Sequence, residues 1–392
     1  MQTIAYSHGR EVVPAIPFPH RRGPSRAAGR TRMINKVTSK ADWRAADLQA
    51  SDRWVRPLAP REIADLMRGF EAVKASGKPM LEITKTDMPV GAFEGVLAEV
   101  ENELENGIGF KVIRGLPVQQ MSVEDNRLLF WSIGTHLGVA RPQGKASQIM
   151  SDVRDAGGTY RGTSGRGYNT NAELDYHTDG SDVVGLLCRN TARSGGLSRL
   201  ASSVAIHNAL LETRPDLVKL LYGNLPHSRQ NEEAPDEPPT YMAPVYSMRD
   251  GHFASRYIRN HIRSTQLLEG QPKLTPEQHE ALDALQSMAS SEEFSFDMWL
   301  EPGDMQFVNN HVLYHSRTHY EDFEEDDRKR HLFRLWLSVP NSRPLCEDLR
   351  HIYKSVDRGT VRGGIKGRGV TPELLAYQAR AAESLGMRNI PY

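Results

Sequence analysis

The chain has 392 residues and carries 49 basic (Lys and Arg) and 49 acidic (Asp and Glu) side chains, so its formal net charge is zero. This balance argues against a dedicated nucleic-acid-binding protein, which needs a basic surplus to neutralise phosphates, and no stretch approaches the roughly 18 consecutive apolar residues of a membrane span. A content of 39% apolar and 25% charged residues is typical of a globular protein, and the presence of only two cysteines, Cys188 and Cys346, favours a cytoplasmic protein without a disulfide framework.

The charge is distributed unevenly along the chain. Residues 1–40 contain eight Lys or Arg and one acid, Glu11, so this segment carries a charge of +7 and the rest carries −7. The segment is also rich in proline and has little apolar periodicity, which predicts a basic, disordered arm. A targeting peptide and a true start at Met33 are the alternatives.

From about residue 42 the apolar pattern becomes that of a folded domain. Helical spacing predicts helices over 60–73, 92–106, 123–138 and, interrupted at Pro215, 203–221. Alternation and apolar runs predict strands at 107–117, 182–189, 294–300, 305–308 and 332–339, and two polar, proline-rich stretches predict loops at 226–240 and 264–276. Short strands mixed with amphipathic helices indicate one sheet-based core covered by helices.

The first motif with chemical content is His177-Thr178-Asp179. On an extended strand, residues i and i+2 point to the same face, so the imidazole and the carboxylate can reach one ion together. A second histidine from a distant strand would complete a two-histidine, one-carboxylate face, which leaves open the positions that non-haem Fe(II) needs for a cosubstrate and O₂. The motif alone is weak evidence, because His-x-Asp also occurs in ordinary surface turns.

Further motifs follow the first in a specific order. They are Gly195-Gly196-Leu197-Ser198, a Pro302-Gly303-Asp304 turn, Asn310 five residues before His315, and an Arg-x-x-x-Arg pair at Arg330 and Arg334. With these motifs, residues 107–340 resemble the TauD/TfdA-like (clavaminate synthase-like) family of Fe(II)- and 2-oxoglutarate-dependent dioxygenases.

The resemblance implies a fold and a domain organisation. The fold would be mainly β with flanking helices, built on a double-stranded β-helix (a jelly-roll or cupin-like core) whose mouth holds the metal. A single dioxygenase domain would span residues 41–340 with an insertion at about 223–293, and residues 341–392 would form a C-terminal extension. The sequence does not decide whether this extension covers the barrel or makes a subunit contact in a homo-oligomer.

The resemblance also implies roles for individual residues. His177, Asp179 and His315 would bind iron and form the catalytic centre. Arg330 would pair with the distal carboxylate of 2-oxoglutarate, since a planar guanidinium matches a carboxylate through two parallel hydrogen bonds. Ser198 would assist as a hydroxyl donor to the same carboxylate.

Other assignments have structural alternatives. Arg334 matches a position that binds an anionic substrate group in some relatives, but it also suits a structural ion pair. Asn171 and Tyr176 fall in a region that lines the substrate pocket in relatives, and they equally suit packing or a turn. Strand alternation cannot choose between His311, His315 and His319, and only the spacing from Asn310 in the family selects His315.

The reaction implied is the oxidation, by default the hydroxylation, of a small molecule with release of succinate and CO₂. An anionic molecule is favoured if Arg334 faces the pocket. Asp179 disfavours halogenation, since related halogenases lack this ligand. Desaturation, cyclisation and oxidative cleavage use the same ligands and stay open, and a zinc hydrolase or a non-catalytic jelly-roll binding protein are the remaining alternatives. The acidic run 321–327 is typical of a solvated loop, and the glycine-rich residues 362–369 predict a flexible joint.

Overall fold

A computed structural model describes residues 34–158, 160 and 167–391 of the chain. Residues 1–33 of the predicted arm therefore lie outside the described residues. The helices are α1 (Ala45–Gln49), α2 (Pro60–Ser76), α3 (Glu94–Asn106), α4 (Val123–Leu137), α5 (Ser203–Thr213), α6 (Pro215–Leu221), α7 (Arg259–Thr265), α8 (Pro276–Ala289), α9 (Arg350–Tyr353) and α10 (Pro372–Ser384). Within the described part of the chain, no helix is long and apolar enough to cross a membrane.

Local signals explain where several helices begin and end. Helix α2 begins at Pro60, whose missing N–H is not needed in a first turn, and ends before Gly77, which has a left-handed φ of 60°. Helix α4 begins after Ser122, whose side chain accepts a hydrogen bond from the backbone of Asp125. Pro215 separates α5 from α6, which confirms the predicted interruption.

Seventeen strands are assigned among the described residues. They are β1 (Val55–Pro57), β2 (Phe110–Arg114), β3 (Val139–Ala140), β4 (Met150–Val153), β5 (Leu174–His177), β6 (Val183–Asn190), β7 (Ser194–Gly195), β8 (Ser198–Ser202), β9 (Asn224–Ser228), β10 (Thr240–Pro244), β11 (Tyr246–Arg249), β12 (His252–Ser255), β13 (Ser295–Met298), β14 (Met305–Asn309), β15 (Leu313–Arg317), β16 (Tyr320–Glu321) and β17 (His331–Ser338). All five predicted strands are present; β2 and β13 are shorter than predicted, and the bounds of the other three agree within one residue.

Two sheets form the core of the fold. The larger has the order β1-β2-β14-β6-β17-β3, with β4 also paired to β17, and the smaller has the order β13-β8-β15-β5. Strands that are far apart in sequence are therefore neighbours, as the double-stranded β-helix expected from the sequence requires. The larger sheet packs against α2, α3, α4 and α10 through one apolar cluster that includes Phe70, Phe130 and Phe333.

The insertion at 223–293 contains more regular structure than the sequence indicated. Residues 224–228 and 240–244 form an antiparallel ribbon, β9 and β10, so only the middle of the predicted 226–240 loop is irregular. The pattern was missed because β9 contains Pro226, which cannot donate to a strand ladder and is tolerated in a two-stranded ribbon. The predicted loop at 264–276 overlaps the end of α7 and leads into α8.

The C-terminal extension packs on the core. The Tyr377 hydroxyl on α10 accepts a hydrogen bond from the backbone of Ala140 (2.8 Å), and its ring centroid lies 5.0 Å from that of Trp131. The interpretation of residues 362–369 as a flexible joint is wrong, because Arg362 is fully buried and pairs with Asp182 at 2.8 Å. An ion pair removed from water holds this segment in place. The bounds of the catalytic domain remain a prediction.

Candidate active site

The two histidines that the sequence motifs select lie side by side on the smaller sheet. His177 is the last residue of β5, and its Cα pairs across the ladder with that of His315 on β15. Their ring centroids are 4.3 Å apart. Two imidazoles from segments 138 positions apart in sequence are thus brought to one place by strand pairing.

Asp179 completes the cluster from the segment that follows β5. Strand β5 ends at His177, so Asp179 lies two residues beyond it, and strand alternation alone does not account for its position. Two hydrogen bonds fix the backbone beyond the strand: the Thr178 N–H donates to the Tyr257 carbonyl (2.8 Å), and the Asp179 N–H donates to Oδ1 of Asn310 (3.0 Å). Asn310 therefore connects the two metal-binding motifs directly.

The donor atoms of His177, Asp179 and His315 all lie within 4.8 Å of one another. His177 Nε2 is 4.0 Å from Asp179 Oδ1, and His315 Nε2 is 3.6 Å from Asp179 Oδ2. The Nδ1 atom of His177 lies 2.8 Å from the Asp175 carbonyl, which leaves Nε2 as the nitrogen for a metal. Two imidazoles and one carboxylate fit the donor set of non-haem Fe(II).

The environment favours the protonation states that bind a metal. Burial raises the pKa of Asp179, but the nearby Arg334 cation and the two imidazoles outweigh it and bring that pKa to about 2. Burial, reinforced by the neighbouring His177, lowers the pKa of His315 to about 3. The carboxylate is therefore ionised and the His315 imidazole neutral at neutral pH.

The structure resolves the ambiguity between the three later histidines. His311 is buried, and its Nε2 lies 2.9 Å from Asp182 Oδ1, so it belongs to the ion pair beneath the C-terminal segment. His319 is exposed. Only His315 of the three reaches the cluster with Asp179.

Asp179 is oriented by two residues of β17. The indole Nε1 of Trp336 donates to Asp179 Oδ2 at 2.7 Å, and Nη1 of Arg334 lies 3.6 Å from the same oxygen. Both side chains are buried. The larger sheet thus supplies the groups that hold the carboxylate, while the smaller sheet supplies the histidines.

Two cavities meet at this cluster, and both are lined by His177 and Arg334. We call the first the Arg330 cavity; its other polar lining includes Ser198, His315 and Arg317. Arg330 is 6% exposed, and no carboxylate of the described residues pairs with it. Its Nη1 has no hydrogen-bond partner among the described residues. A buried cation of this kind is costly unless an anion enters the cavity.

Ser198 is placed as expected but is already engaged. Its hydroxyl lies 3.1 Å from Oε1 of Gln306 and donates to it. Ser198 also pairs in register with Arg317 across β8 and β15, so the two side chains share one face of the sheet.

The second cavity, which we call the Arg256 cavity, also borders the cluster. Its basic lining comprises Arg229, Arg256, Arg259, Arg334 and Lys366, and its aromatic lining includes Tyr160, Tyr168, Tyr241 and Trp336. The guanidinium of Arg334 lies 4.9 Å from the centre of the Tyr168 ring and 5.1 Å from that of Trp336. The insertion and the C-terminal segment therefore both contribute walls to the site.

The other two candidate substrate residues are less directly placed. Tyr176 borders the Arg256 cavity, but its hydroxyl bonds to Ser295 Oγ at 2.6 Å and burial raises its pKa. Asn171 borders neither cavity, and its carbonyl accepts a hydrogen bond from the Tyr320 N–H at 3.2 Å.

Sequence reasoning missed several residues of the site. Arg317 is two residues after His315, so strand alternation could have placed it on the metal face. Trp336 lies two residues beyond Arg334 and was open to the same argument. Nothing local marks Arg256 or Lys366, because they reach the cavity only through the folding of the insertion and of the C-terminal segment.

The sequence and fold have known relatives. Residues 77–336 match the family described as "Taurine catabolism dioxygenase TauD, TfdA family". The chain is 33% identical over 315 residues to FR-33289 synthase of Streptomyces rubellomurinus, covering 78% of this chain and 91% of that protein. It is 26% identical over 321 residues to the taurine hydroxylase-like protein SAT17 of Stachybotrys chartarum, covering 78% and 80%.

Solved structures agree on the fold. An asparagine oxygenase in complex with Fe(II), 3-hydroxyasparagine and succinate superposes with a TM-score of 0.56 at 18% identity, covering 73% of this chain and 94% of that one. The non-haem iron oxygenase OrfP in complex with Fe and alpha-ketoglutaric acid gives 0.53 at 16% identity, covering 72% and 94%. The double-stranded β-helix is thereby confirmed. The chain belongs to the taurine catabolism dioxygenase TauD, TfdA family, a family of non-haem iron, 2-oxoglutarate-dependent oxygenases.

Proposed function

We propose that this protein uses Fe(II), 2-oxoglutarate and O₂ to hydroxylate a small anionic organic molecule, with release of succinate and CO₂. The observation that carries the proposal is the His177, Asp179 and His315 cluster beside a cavity whose buried Arg330 has no acidic partner among the described residues. A metal site and an anion site thus adjoin each other, as an enzyme with an anionic cosubstrate on its metal requires.

The three clustered side chains would hold the iron. When bound, iron with 2-oxoglutarate and O₂ supplies the oxidising power of the reaction, which the side chains of the chain cannot supply themselves. Asn310 and Trp336 hold Asp179 from its backbone and its carboxylate, so the ligand is fixed before a metal arrives. The buried walls around the cluster restrict the access of water to it.

Arg330 would bind the distal carboxylate of 2-oxoglutarate. Its guanidinium is desolvated, and a carboxylate would restore its hydrogen bonds and neutralise its charge. Ser198 lines the same cavity, and its assistance to this carboxylate requires its hydroxyl proton to turn away from Gln306.

The Arg256 cavity would hold the substrate. It adjoins the metal cluster, and Arg334 stands on the border between the two cavities. Arg256 is 4% exposed and has no carboxylate partner among the described residues. The buried guanidiniums of Arg256 and Arg334 favour a substrate with a carboxylate, sulfonate or phosphonate group.

Relatives support a small substrate that carries an acidic group. One carries taurine in its name, a sulfonate, and two structural neighbours were solved with 3-hydroxyasparagine and (3S)-hydroxy-L-Arg, both amino acids with a carboxylate. In this chain we assign the anion-binding role to Arg334. Tyr176 and Asn171 remain predictions for substrate contact.

A turnover screen tests the proposal. The protein is incubated with Fe(II), 2-oxoglutarate and O₂ against panels of small carboxylates, sulfonates, phosphonates and matched neutral analogues, and succinate is measured. We expect succinate above the substrate-free level only with anionic compounds, and with a product heavier by one oxygen atom. His177→Ala and Asp179→Ala should abolish this coupled release. A product made without 2-oxoglutarate, or an unchanged rate in these variants, would contradict the proposal.

A further inference from the structure

Arg317 is a second buried cation in the Arg330 cavity that the proposed function does not use. It follows His315 by two residues on β15, and its Cα pairs with that of Ser198 on β8. Residues two apart on one strand, and residues paired across two strands, face the same side of a sheet. Arg317 therefore faces the same space as the metal ligand His315 and the cavity residue Ser198.

The guanidinium of Arg317 is only partly satisfied by the protein. The side chain is 5% exposed. Its Nη2 donates to the Thr170 carbonyl at 2.8 Å and to the Ala172 carbonyl. Its Nε and Nη1 are buried and have no hydrogen-bond partner among the described residues. Buried N–H donors without acceptors lower the stability of the folded protein, and they do so most on a charged group. A ligand that accepts these hydrogen bonds would remove this cost.

Arg317 and Arg330 are held close together without an anion between them. The ring centre of Tyr320 lies 4.7 Å from the Arg317 guanidinium and 5.0 Å from that of Arg330, and Tyr320 is fully buried. No carboxylate of the described residues lies within ion-pair distance of either guanidinium. Both guanidiniums therefore contact the same aromatic ring, and their like charges repel each other in a poorly solvated space.

Ser198 does not resolve this excess of charge. Its hydroxyl is a neutral group and already donates to Gln306. A carboxylate has two oxygens and about four lone-pair positions, so it accepts a pair of bonds from one guanidinium and further bonds from another. One ligand carboxylate can therefore accept hydrogen bonds from both Arg317 and Arg330 and neutralise part of their joint charge.

We infer that Arg317 is a second arginine for the distal carboxylate of 2-oxoglutarate, acting together with Arg330. This inference rests on the proposed function, because it takes 2-oxoglutarate as the occupant of the Arg330 cavity. Arg317 also donates hydrogen bonds to the carbonyls of residues 170 and 172, which follow Tyr168 in the chain. Tyr168 lines the substrate cavity, so Arg317 links the cosubstrate cavity to a wall of the substrate cavity.

Calorimetric titration of the full chain with Mn(II) in place of Fe(II) tests the inference without turnover. The ligands are 2-oxoglutarate and 2-oxobutyrate, a keto acid that lacks the distal carboxylate. We expect Arg317→Met to weaken 2-oxoglutarate binding about ten- to hundredfold, the loss typical of hydrogen bonds to a charged group, and to leave 2-oxobutyrate binding unchanged. Arg317→Lys, which keeps the charge and favours folding, should fall between the wild type and Arg317→Met.

Two further variants make the outcomes distinguishable. Arg199→Gln is the matched control, because Arg199 follows Ser198 on β8 and pairs with Asp297 and Glu173, away from the cavity; it should bind both keto acids like the wild type. Arg330→Met tests the cosubstrate site itself. If Arg330→Met loses 2-oxoglutarate and neither Arg317 variant does, the inference about Arg317 is wrong. Equal losses for both keto acids in the Arg317 variants would assign Arg317 a structural role only. Unchanged binding in Arg330→Met would instead overturn the proposed function.

Discussion

Replacing Trp336 by phenylalanine removes the hydrogen bond that its indole, on the larger sheet, donates to Asp179 Oδ2. The indole Nε1 donates to that oxygen at 2.7 Å in a fully buried setting. Phenylalanine keeps an aromatic ring at the position but has no N–H. The carboxylate would lose a donor that fixes its orientation toward His177 and His315.

The size of the effect follows from the contacts that remain. A hydrogen bond to a charged group contributes about 1.5–3 kcal/mol, and about 1.4 kcal/mol corresponds to a tenfold change in an equilibrium constant. Loss of a partner of a metal ligand costs about 10- to 100-fold in metal affinity, in agreement with that conversion. Arg334 stays 3.6 Å from the same oxygen and partly compensates for the lost hydrogen bond. We therefore expect the affinity for Fe(II) or Co(II) to fall about tenfold.

The assay is a Co(II) titration in competition with a metal indicator. Trp131→Phe is the matched control, since Trp131 is buried on α4 and its Nε1 has no hydrogen-bond partner among the described residues. It undergoes the same change of side chain without losing a donor to a ligand, so it should alter stability but not Co(II) affinity. Native affinity in Trp336→Phe, or an equal loss in Trp131→Phe, would refute the role of the indole.

Three further predictions concern the substrate, the fold and pH. Arg334→Ala should raise the KM for the substrate by about tenfold or more and leave 2-oxoglutarate affinity nearly intact, as measured by turnover and calorimetry; equal losses of both would contradict its assignment. Asp182→Asn should lower the free energy of unfolding in urea by about 3–5 kcal/mol, because it leaves buried Arg362 without its counter-charge, whereas Glu321→Gln, in an exposed pair, should change nothing measurable. Burial lowers the pKa of His311 to about 4 from an ordinary value near 6.5, so this imidazole is protonated at a higher pH in the unfolded chain than in the folded one. The metal-free protein should therefore lose stability as pH falls from about 6.5 to about 4. Urea midpoints that do not change over that interval would show that His311 is not buried in its neutral form.

The sequence predicts most of the fold because its signals are local. Apolar residues at helical spacing and caps such as Pro60 and Ser122 locate α2 and α4, and these helices appear close to the predicted bounds. The ribbon β9–β10 was not predicted because Pro226 interrupts its pattern. Its pairing depends on contacts between strands, which no local window contains.

The metal cluster was predicted from the order and spacing of the motifs, which strand alternation alone does not supply. Asp179 lies beyond the end of β5, where the side chain of Asn310 fixes its backbone N–H. The choice of His315 over His311 came from the family spacing and not from physics. In the structure, His311 is excluded from the metal cluster because its Nε2 is hydrogen-bonded to the buried Asp182.

The substrate side of the site could not be predicted from sequence. Arg256 lies in the insertion and Lys366 in the C-terminal segment, about 110 positions apart, and they meet only in the folded chain. Residues 362–369 were misread because four glycines suggest mobility. Here Gly364 instead allows close approach, since its N–H donates to the Gly180 carbonyl at 2.7 Å and its φ is 81°.

The most direct test of the metal and cosubstrate assignment is the visible absorption spectrum of the protein under anaerobic conditions. We expect a charge-transfer band that appears only when Fe(II) and 2-oxoglutarate are both added, because the keto acid then binds to an iron held by His177, Asp179 and His315. Asp179→Ala should weaken or abolish the band, and Arg330→Met should shift its appearance to higher 2-oxoglutarate concentration. A wild-type protein that binds Fe(II) but develops no band with 2-oxoglutarate, or an Asp179→Ala variant with an unchanged spectrum, would contradict the assignment.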